Sequence, residues 1–227
     1  MSRTPGQRPQ HQGFTLVELI VVLGIMLILL GMLGLSLAGS ANQRARWGAI
    51  NLVLNTFEQA RVAALESGAA VHVGFADRDF PLSTPGDDVR YRKFIVFRER
   101  TSSDSPAVGP GVPRFVCLTA WRKLPRGVSF KSENNSIVNR AHAAIDLTAA
   151  DCLPGVTANL SIPVLSFTSA GTISAPASSS LQLFLYEGFF NGSVDVVTGG
   201  AGSGLFERFE FARFTGRVRH EVSSLVP

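Results

Sequence analysis

The side chains that most often carry catalysis are few in this sequence and form no recognisable site. The four histidines are His11, His72, His142 and His220. None of them belongs to a His-Glu-x-x-His zinc motif, and neither a Gly-x-Ser-x-Gly nor a Gly-x-x-x-x-Gly-Lys motif occurs. We therefore predict that the chain is not an enzyme and uses no cofactor.

Oxygen ligands for a metal ion are concentrated in one turn-rich segment. It holds Asp77, Asp79, Asp87 and Asp88 among prolines and a glycine. Carboxylates of this kind can bind Ca²⁺, but we predict that they are solvated turn carboxylates and that there is no metal site. The glycine-rich stretch "GGAGSG" at 199–204 lacks the lysine of a phosphate loop and is predicted to be a flexible loop.

The sequence contains two cysteines, Cys117 and Cys152. No Cys-x-x-Cys motif or Cys/His cluster surrounds them, so a zinc site is not predicted. In an oxidising compartment they can pair, whereas in a reducing one they would be two buried thiols. We predict a disulfide, which would stabilise the fold by roughly 3–4 kcal/mol.

A long apolar run lies close to the N-terminus. From Leu19 to Leu35 every residue is apolar or glycine. A helix over 14–38 would cross the ~30 Å hydrocarbon core of a bilayer. A secretory signal peptide cleaved near "GLSLAGSA" and a plain signal anchor share this pattern. Neither explains the glutamate at Glu18 or the Gly-Phe pair ahead of it.

The remaining periodicity predicts an α+β fold. Apolar residues at three-and-four spacing extend the helix as an amphipathic segment over 39–67; they are Ile50, Val53, Leu54, Phe57, Ala60, Ala64 and Leu65. Gly68 is a natural cap for its end. An alternating strand follows at 70–76 and a strand with charged ends at 90–100, and a hairpin is predicted from 163–174 and 179–188. A last hairpin turns at Thr215-Gly216. We expect a long N-terminal helix, its first half transmembrane, packed on a C-terminal antiparallel sheet over 68–227.

The stretch "GFTLVELIVVLGIM", which begins at Gly13, resembles the leader junction and N-terminal helix of type IV pilins and type II secretion pseudopilins. The resemblance implies that prepilin peptidase removes residues 1–13, cleaving between Gly13 and Phe14, and that Phe14 is then N-methylated. It also implies that Glu18 pairs with the N-terminal ammonium of a neighbouring subunit during assembly. The alternative for Glu18 is a carboxylate that reaches the lipid headgroups.

Two later stretches, "LSFTSAG" at 165–171 and "FTGRVR" at 214–219, are similar to the GspH/FimT group of minor pseudopilins and pilins. This resemblance implies a single-pass inner-membrane protein with a periplasmic domain, assembled with other pseudopilins or pilins. The first functional hypothesis is a structural subunit of a type II secretion pseudopilus. The alternative is a FimT-like minor pilin that acts in pilus assembly or DNA uptake, with Arg213, Arg217 and Arg219 as candidate nucleic-acid contacts. The net charge of +4 is too small to favour DNA by itself.

Overall fold

The computed structural model describes residues 15–81, 89–132, 136–140, 143–148, 151, 159–175, 181–198 and 205–224. Within these ranges the side chains of 30–42, 205, 223 and 224 are not described. The chain divides into two compact units, Met1–Gln43 and Arg44–Pro227.

The chain begins with one helix among its described residues, α1 (Leu16–Ser67). It begins two residues after the predicted start and ends at the predicted residue. The end is set by Gly68, which has a φ of +63° and donates its backbone N–H to the Ala64 carbonyl at 3.1 Å. This is the left-handed residue that commonly closes a helix.

The second unit is rich in short strands, all paired antiparallel. Their bounds are β1 (Val71–Phe75), β2 (Lys93–Glu99), β3 (Phe115–Cys117), β4 (Arg122–Lys123), β5 (Val128–Phe130), β6 (Ala144–Leu147), β7 (Leu160–Phe167), β8 (Ile173–Ser174), β9 (Gln182–Phe190), β10 (Asp195–Val197), β11 (Leu205–Phe211) and β12 (Val218–Ser224). The predicted α+β class, a helix followed by antiparallel sheet, is confirmed.

The described strands form two sheets rather than the single predicted one. The first sheet has the order β3-β2-β1-β7-β6, with β4 beside β2 and β8 beside β7. The second has the order β10-β9-β11-β12, with β5 also paired to β9. The predicted hairpin between 163–174 and 179–188 is therefore wrong, because β7 pairs with β1 while β9 pairs with β11. The predicted last hairpin is confirmed as β11 and β12.

The second half of α1 packs against both sheets. Its buried stripe consists of Ala49, Ile50, Val53, Phe57, Ala60 and Ala64. The ring of Phe57 lies 4.6 Å from Phe211 on β11 and 6.3 Å from Phe75 on β1, measured between centroids. Leu65 was predicted to join this stripe but is 47% exposed. The helix thus closes the core where the two sheets meet.

The first sheet is also covered on its other face. A second apolar cluster contains Ile95 and Phe97 of β2, Phe115 of β3, Leu147 of β6 and Ile162 of β7. Trp121 packs against this cluster from the segment between β3 and β4. Burial on both faces explains why β1 reads "VHVGF" with all five residues buried, as is typical of an interior strand.

Candidate functional site

The described N-terminal part of α1 presents an apolar surface. The large hydrophobic side chains between Leu16 and Leu29 are 46–75% exposed. Contiguous exposed apolar surface of this extent is typical of segments that contact a membrane or another protein. Among the residues that the structure describes, no helix satisfies the combined length and hydropathy requirement for a membrane span.

Glu18 caps the first turn of α1. Its carboxylate accepts hydrogen bonds from the backbone N–H and the hydroxyl of Thr15, both at 3.0 Å. The Thr15 hydroxyl in turn accepts the backbone N–H of Glu18 at 3.3 Å. This reciprocal arrangement is a capping box. Its sequence signal, Thr-x-x-Glu, is present at Thr15–Glu18 but was not among the predicted features. Gly13 and Phe14 lie outside the described residues.

His72 is a buried, neutral histidine on β1. Its side chain is 6% exposed, and its Nδ1 lies 2.7 Å from the Ser166 hydroxyl. The ring packs 5.3 Å from Phe97 and 5.9 Å from Phe115. Burial lowers the pKa of His72 to about 4. These surroundings fit a structural side chain rather than a proton donor at neutral pH.

A partly buried ion-pair cluster, centred on a buried carboxylate, joins α1 to the last hairpin. Glu207 on β11 has a 5% exposed side chain, and its carboxylate accepts hydrogen bonds from Arg46 of the helix. Its other oxygen lies 2.5 Å from Nε2 of His220 on β12. Glu187 of β9 completes the cluster, 3.9 Å from Arg46. These four residues are distant along the chain, so no local sequence pattern indicated that they form one cluster.

The aspartates of the first loop bind a guanidinium. Arg140 donates to both carboxylate oxygens of Asp77 and to Asp79 at 2.9 Å. Asp77 is 4% exposed, so its prediction as a hydrated turn carboxylate is wrong. Burial raises the pKa of Asp77, and Arg140 opposes that shift. The described residues contain no group of three or more His, Cys, Asp or Glu side chains arranged to hold a metal.

Several predicted site residues lie outside the described ranges, so their positions are not tested. They are His11, His142, Asp87, Asp88, Cys152 and the glycine-rich 199–204 stretch. Cys117 lies on β3, paired with Phe97. Asp151, which immediately precedes Cys152, binds the Arg114 guanidinium through both oxygens at 2.9 and 2.7 Å. That bidentate contact ties the segment leading to Cys152 to the segment leading to Cys117.

The two late stretches that resemble the GspH/FimT group meet in space. Gly171, in the 168–172 turn, and Gly216, in the C-terminal turn (residues 212–217), have φ values of +71° and +63°. A Cβ on Gly216 would lie 2.1 Å from the Gly171 carbonyl oxygen, and one on Gly171 would lie 3.1 Å from Leu65. Only glycines permit so close an approach of two backbones.

The three arginines predicted to contact nucleic acid lie on or beside the C-terminal turn. The side chains of Arg213 and Arg219 bind groups within the domain. Arg213 donates to the Ala175 carbonyl at 2.5 Å. Arg219 is 76% exposed and lies 2.9 Å from Glu221. Arg217 is exposed. Phe214, which the sequence analysis did not single out, is 85% exposed beside them.

Comparison with known proteins identifies the N-terminal segment. Residues 8–34 match the family described as the prokaryotic N-terminal methylation motif. No curated protein and no solved structure gives a significant match to the chain. The matched range contains Gly13, Phe14 and Glu18, and the motif implies processing by prepilin peptidase and assembly with other pilin-like subunits. The chain therefore carries the prokaryotic N-terminal methylation motif, as a member of the type IV pilin-like prepilin family does.

Proposed function

We propose that the protein is a minor pseudopilin, a structural subunit of the short periplasmic filament of a type II secretion system. The observation that carries the proposal is the methylation motif at 8–34. It is supported by the exposed apolar side chains of Leu16–Leu29, which a bilayer or neighbouring helices would cover. The likeness of 165–171 and 214–219 to the GspH/FimT group supports the minor rather than the major class.

In this proposal, cleavage between Gly13 and Phe14 removes the leader, and Phe14 becomes the methylated N-terminus. Residues 14–38 anchor the subunit in the inner membrane, and the β-rich domain lies in the periplasm. Loss of the leader leaves an ammonium on Phe14, and an unpaired charge there is costly in a low-dielectric bundle. Glu18 supplies the opposite charge to a neighbouring subunit. The chain's role is assembly rather than catalysis.

The test is mass spectrometry of the N-terminus in membrane fractions. We expect the mature chain to begin with methylated Phe14. Replacing Gly13 with leucine should leave the precursor intact, because a Cβ obstructs the extended backbone that the peptidase must bind. Gly6→Leu makes the same change elsewhere in the leader, and this control should still be cleaved. An unprocessed N-terminus at Met1 in the unaltered protein would refute the proposal.

A domain in the periplasm has its cysteines in an oxidising environment, where disulfides form. We expect Cys117 and Cys152 to be paired in protein taken from the intact envelope without reductant. Alkylation followed by peptide mapping measures this directly. Two alkylated thiols would contradict both the pairing and the proposed location of the domain.

The second candidate is a FimT-like minor pilin that contacts DNA. The 212–219 stretch carries three arginines and no carboxylate, and Phe214 beside them is 85% exposed. Arginines and an exposed aromatic are the groups that hold single-stranded nucleic acid. DNA binding should then weaken steeply with salt and be lost in Arg217→Ala. Co-purification with secretion or with pilus subunits separates the two candidates.

A further inference from the structure

The C-terminal turn presents one apolar side chain to solvent on a fixed backbone. Phe214 is 85% exposed. Among the described residues, no other large hydrophobic side chain is exposed to this extent. Isolated exposed hydrophobic residues are ordinary on protein surfaces, so the significance of Phe214 depends on what surrounds and holds it.

The backbone on both sides of Phe214 is held by hydrogen bonds to two other elements, β8 and α1, and by one within the turn. The Arg213 carbonyl accepts the N–H of Ile173 at 2.8 Å, and the Thr215 carbonyl accepts Nε of Arg61 at 2.8 Å. Within the turn, Gly216 donates to the Ala212 carbonyl at 2.7 Å. A side chain presented on a backbone that is already ordered loses little conformational entropy when it binds.

Apolar surface from the helix lies beside this turn. Val62 and Leu65, on the last turns of α1, are 43% and 47% exposed. Arg61, adjacent to Val62, contacts the C-terminal turn, and Leu65 lies against Gly171. We call Val62, Leu65 and Phe214 the distal patch. Along α1 it lies roughly 30 Å from Arg44, where the chain enters this unit, at 1.5 Å per residue.

We infer that the distal patch is the docking surface for another prepilin-like subunit, with Phe214 as the anchor. This inference depends on the proposed function. The occupant follows from two observations. The methylation motif implies assembly with other pilin-like subunits. Arg213 and Arg217 lie on either side of Phe214 in sequence, and Arg219 is paired with Glu221 at 2.9 Å. The turn itself therefore keeps a positive charge, so a complementary partner has an apolar pocket edged by carboxylates.

The anchor is tested by photo-crosslinking in the intact cell envelope. Phe214 of the full-length protein is replaced by benzoylphenylalanine. Phe189 on β9, which is 46% exposed, receives the same replacement as a matched control. Leu27 in the apolar part of α1 receives it as an independent reporter of filament assembly. We expect position 214 to crosslink to the globular domain of another prepilin-like subunit and position 189 not to do so.

A binding titration with the purified crosslinked subunit measures the contribution of the anchor. Phe214→Ala should weaken binding about tenfold or more, as truncation of an interface hot spot does, while Phe189→Ala should leave it unchanged. Because Phe214 is so exposed, its alanine variant should keep the thermal stability of the parent protein. An unchanged affinity in Phe214→Ala would overturn the inference.

The crosslinking outcomes separate this inference from the proposed function. Crosslinks from position 27 but none from position 214 would refute docking and leave the filament role standing. Crosslinks from position 214 to nucleic acid would refute the protein partner and favour DNA uptake. If neither position 27 nor position 214 crosslinks to a prepilin-like subunit, both the inference and the filament role are wrong.

Discussion

Gly216 and Gly68 offer a matched pair for measuring what close backbone contact contributes to the fold. Both have a φ of +63°. A Cβ on Gly68 would meet nothing within 4 Å, whereas one on Gly216 would lie 2.1 Å from the Gly171 carbonyl oxygen and 3.1 Å from Cδ of Arg61. Alanine at either position therefore has the same left-handed strain, and only Gly216→Ala adds a collision.

The strain costs roughly 1–2 kcal/mol in each variant. Relief of the collision requires the C-terminal turn to move by about 1 Å, since ordinary contact begins at 3.4 Å. That movement breaks the hydrogen bonds from Ile173 to the Arg213 carbonyl and from Arg61 to the Thr215 carbonyl, each worth about 1 kcal/mol. We expect Gly216→Ala to lose roughly 3–4 kcal/mol of unfolding free energy and Gly68→Ala about 1–2.

Thermal unfolding of the full-length protein in detergent, followed by near-ultraviolet circular dichroism, measures the difference. At roughly 2–4 °C per kcal/mol for a domain of this size, the midpoint should fall about 6–16 °C for Gly216→Ala and about 2–8 °C for Gly68→Ala. Gly171→Ala should fall between them, because its collision is with the movable side chain of Leu65. Equal losses at Gly68 and Gly216 would refute the reasoning.

Three further predictions concern titration, a buried ion pair and the helix start. Burial lowers the pKa of His72 to about 4, so the unfolded chain binds more protons than the folded chain between pH 4 and 6.5. The free energy of unfolding should therefore fall by about 3 kcal/mol on acidification through that window. In His72→Gln, unfolding free energies measured by urea titration at several pH values should depend less steeply on pH. Glu207→Gln should cost about 2 kcal/mol by urea unfolding because it breaks a buried ion pair, whereas Glu210→Gln, on the same strand and 38% exposed, should stay within about 0.5. The Glu18→Ala variant should be cleaved and inserted into the membrane but fail to crosslink with other subunits. Thr15→Ala, which removes only the capping partner, should assemble normally. If both variants assemble, Glu18 has a capping role alone.

The elements with local signals could be predicted from the sequence. The three-and-four spacing of Ile50, Val53 and Phe57 identified the buried face of α1, and Gly68 marked its end. Alternation identified β1, an apolar run with charged ends identified β2, and Thr215-Gly216 marked the last turn. Each of these signals lies within a few residues of the feature that it specifies.

The parts that were missed depend on residues distant in sequence. Strand pairing is non-local, so nothing in 163–188 revealed that β7 and β9 belong to different sheets. Asp77 is buried because Arg140, 63 residues later, reaches it. The contact of Gly171 with Gly216 was invisible for the same reason, although both glycines lay in stretches that drew attention. The Thr15–Glu18 capping box was local and was missed only because Glu18 was interpreted by its charge.

Two polar contacts between α1 and the last hairpin bear on how the domain responds to mechanical force. Arg46 binds Glu207, and Arg61 binds the Thr215 carbonyl, at points roughly 22 Å apart along the helix. Both partners belong to the β11–β12 hairpin, so a force along the helix acts on both contacts. A pull or push on this part of α1 is therefore delivered directly to the terminal hairpin and the turn that carries Phe214.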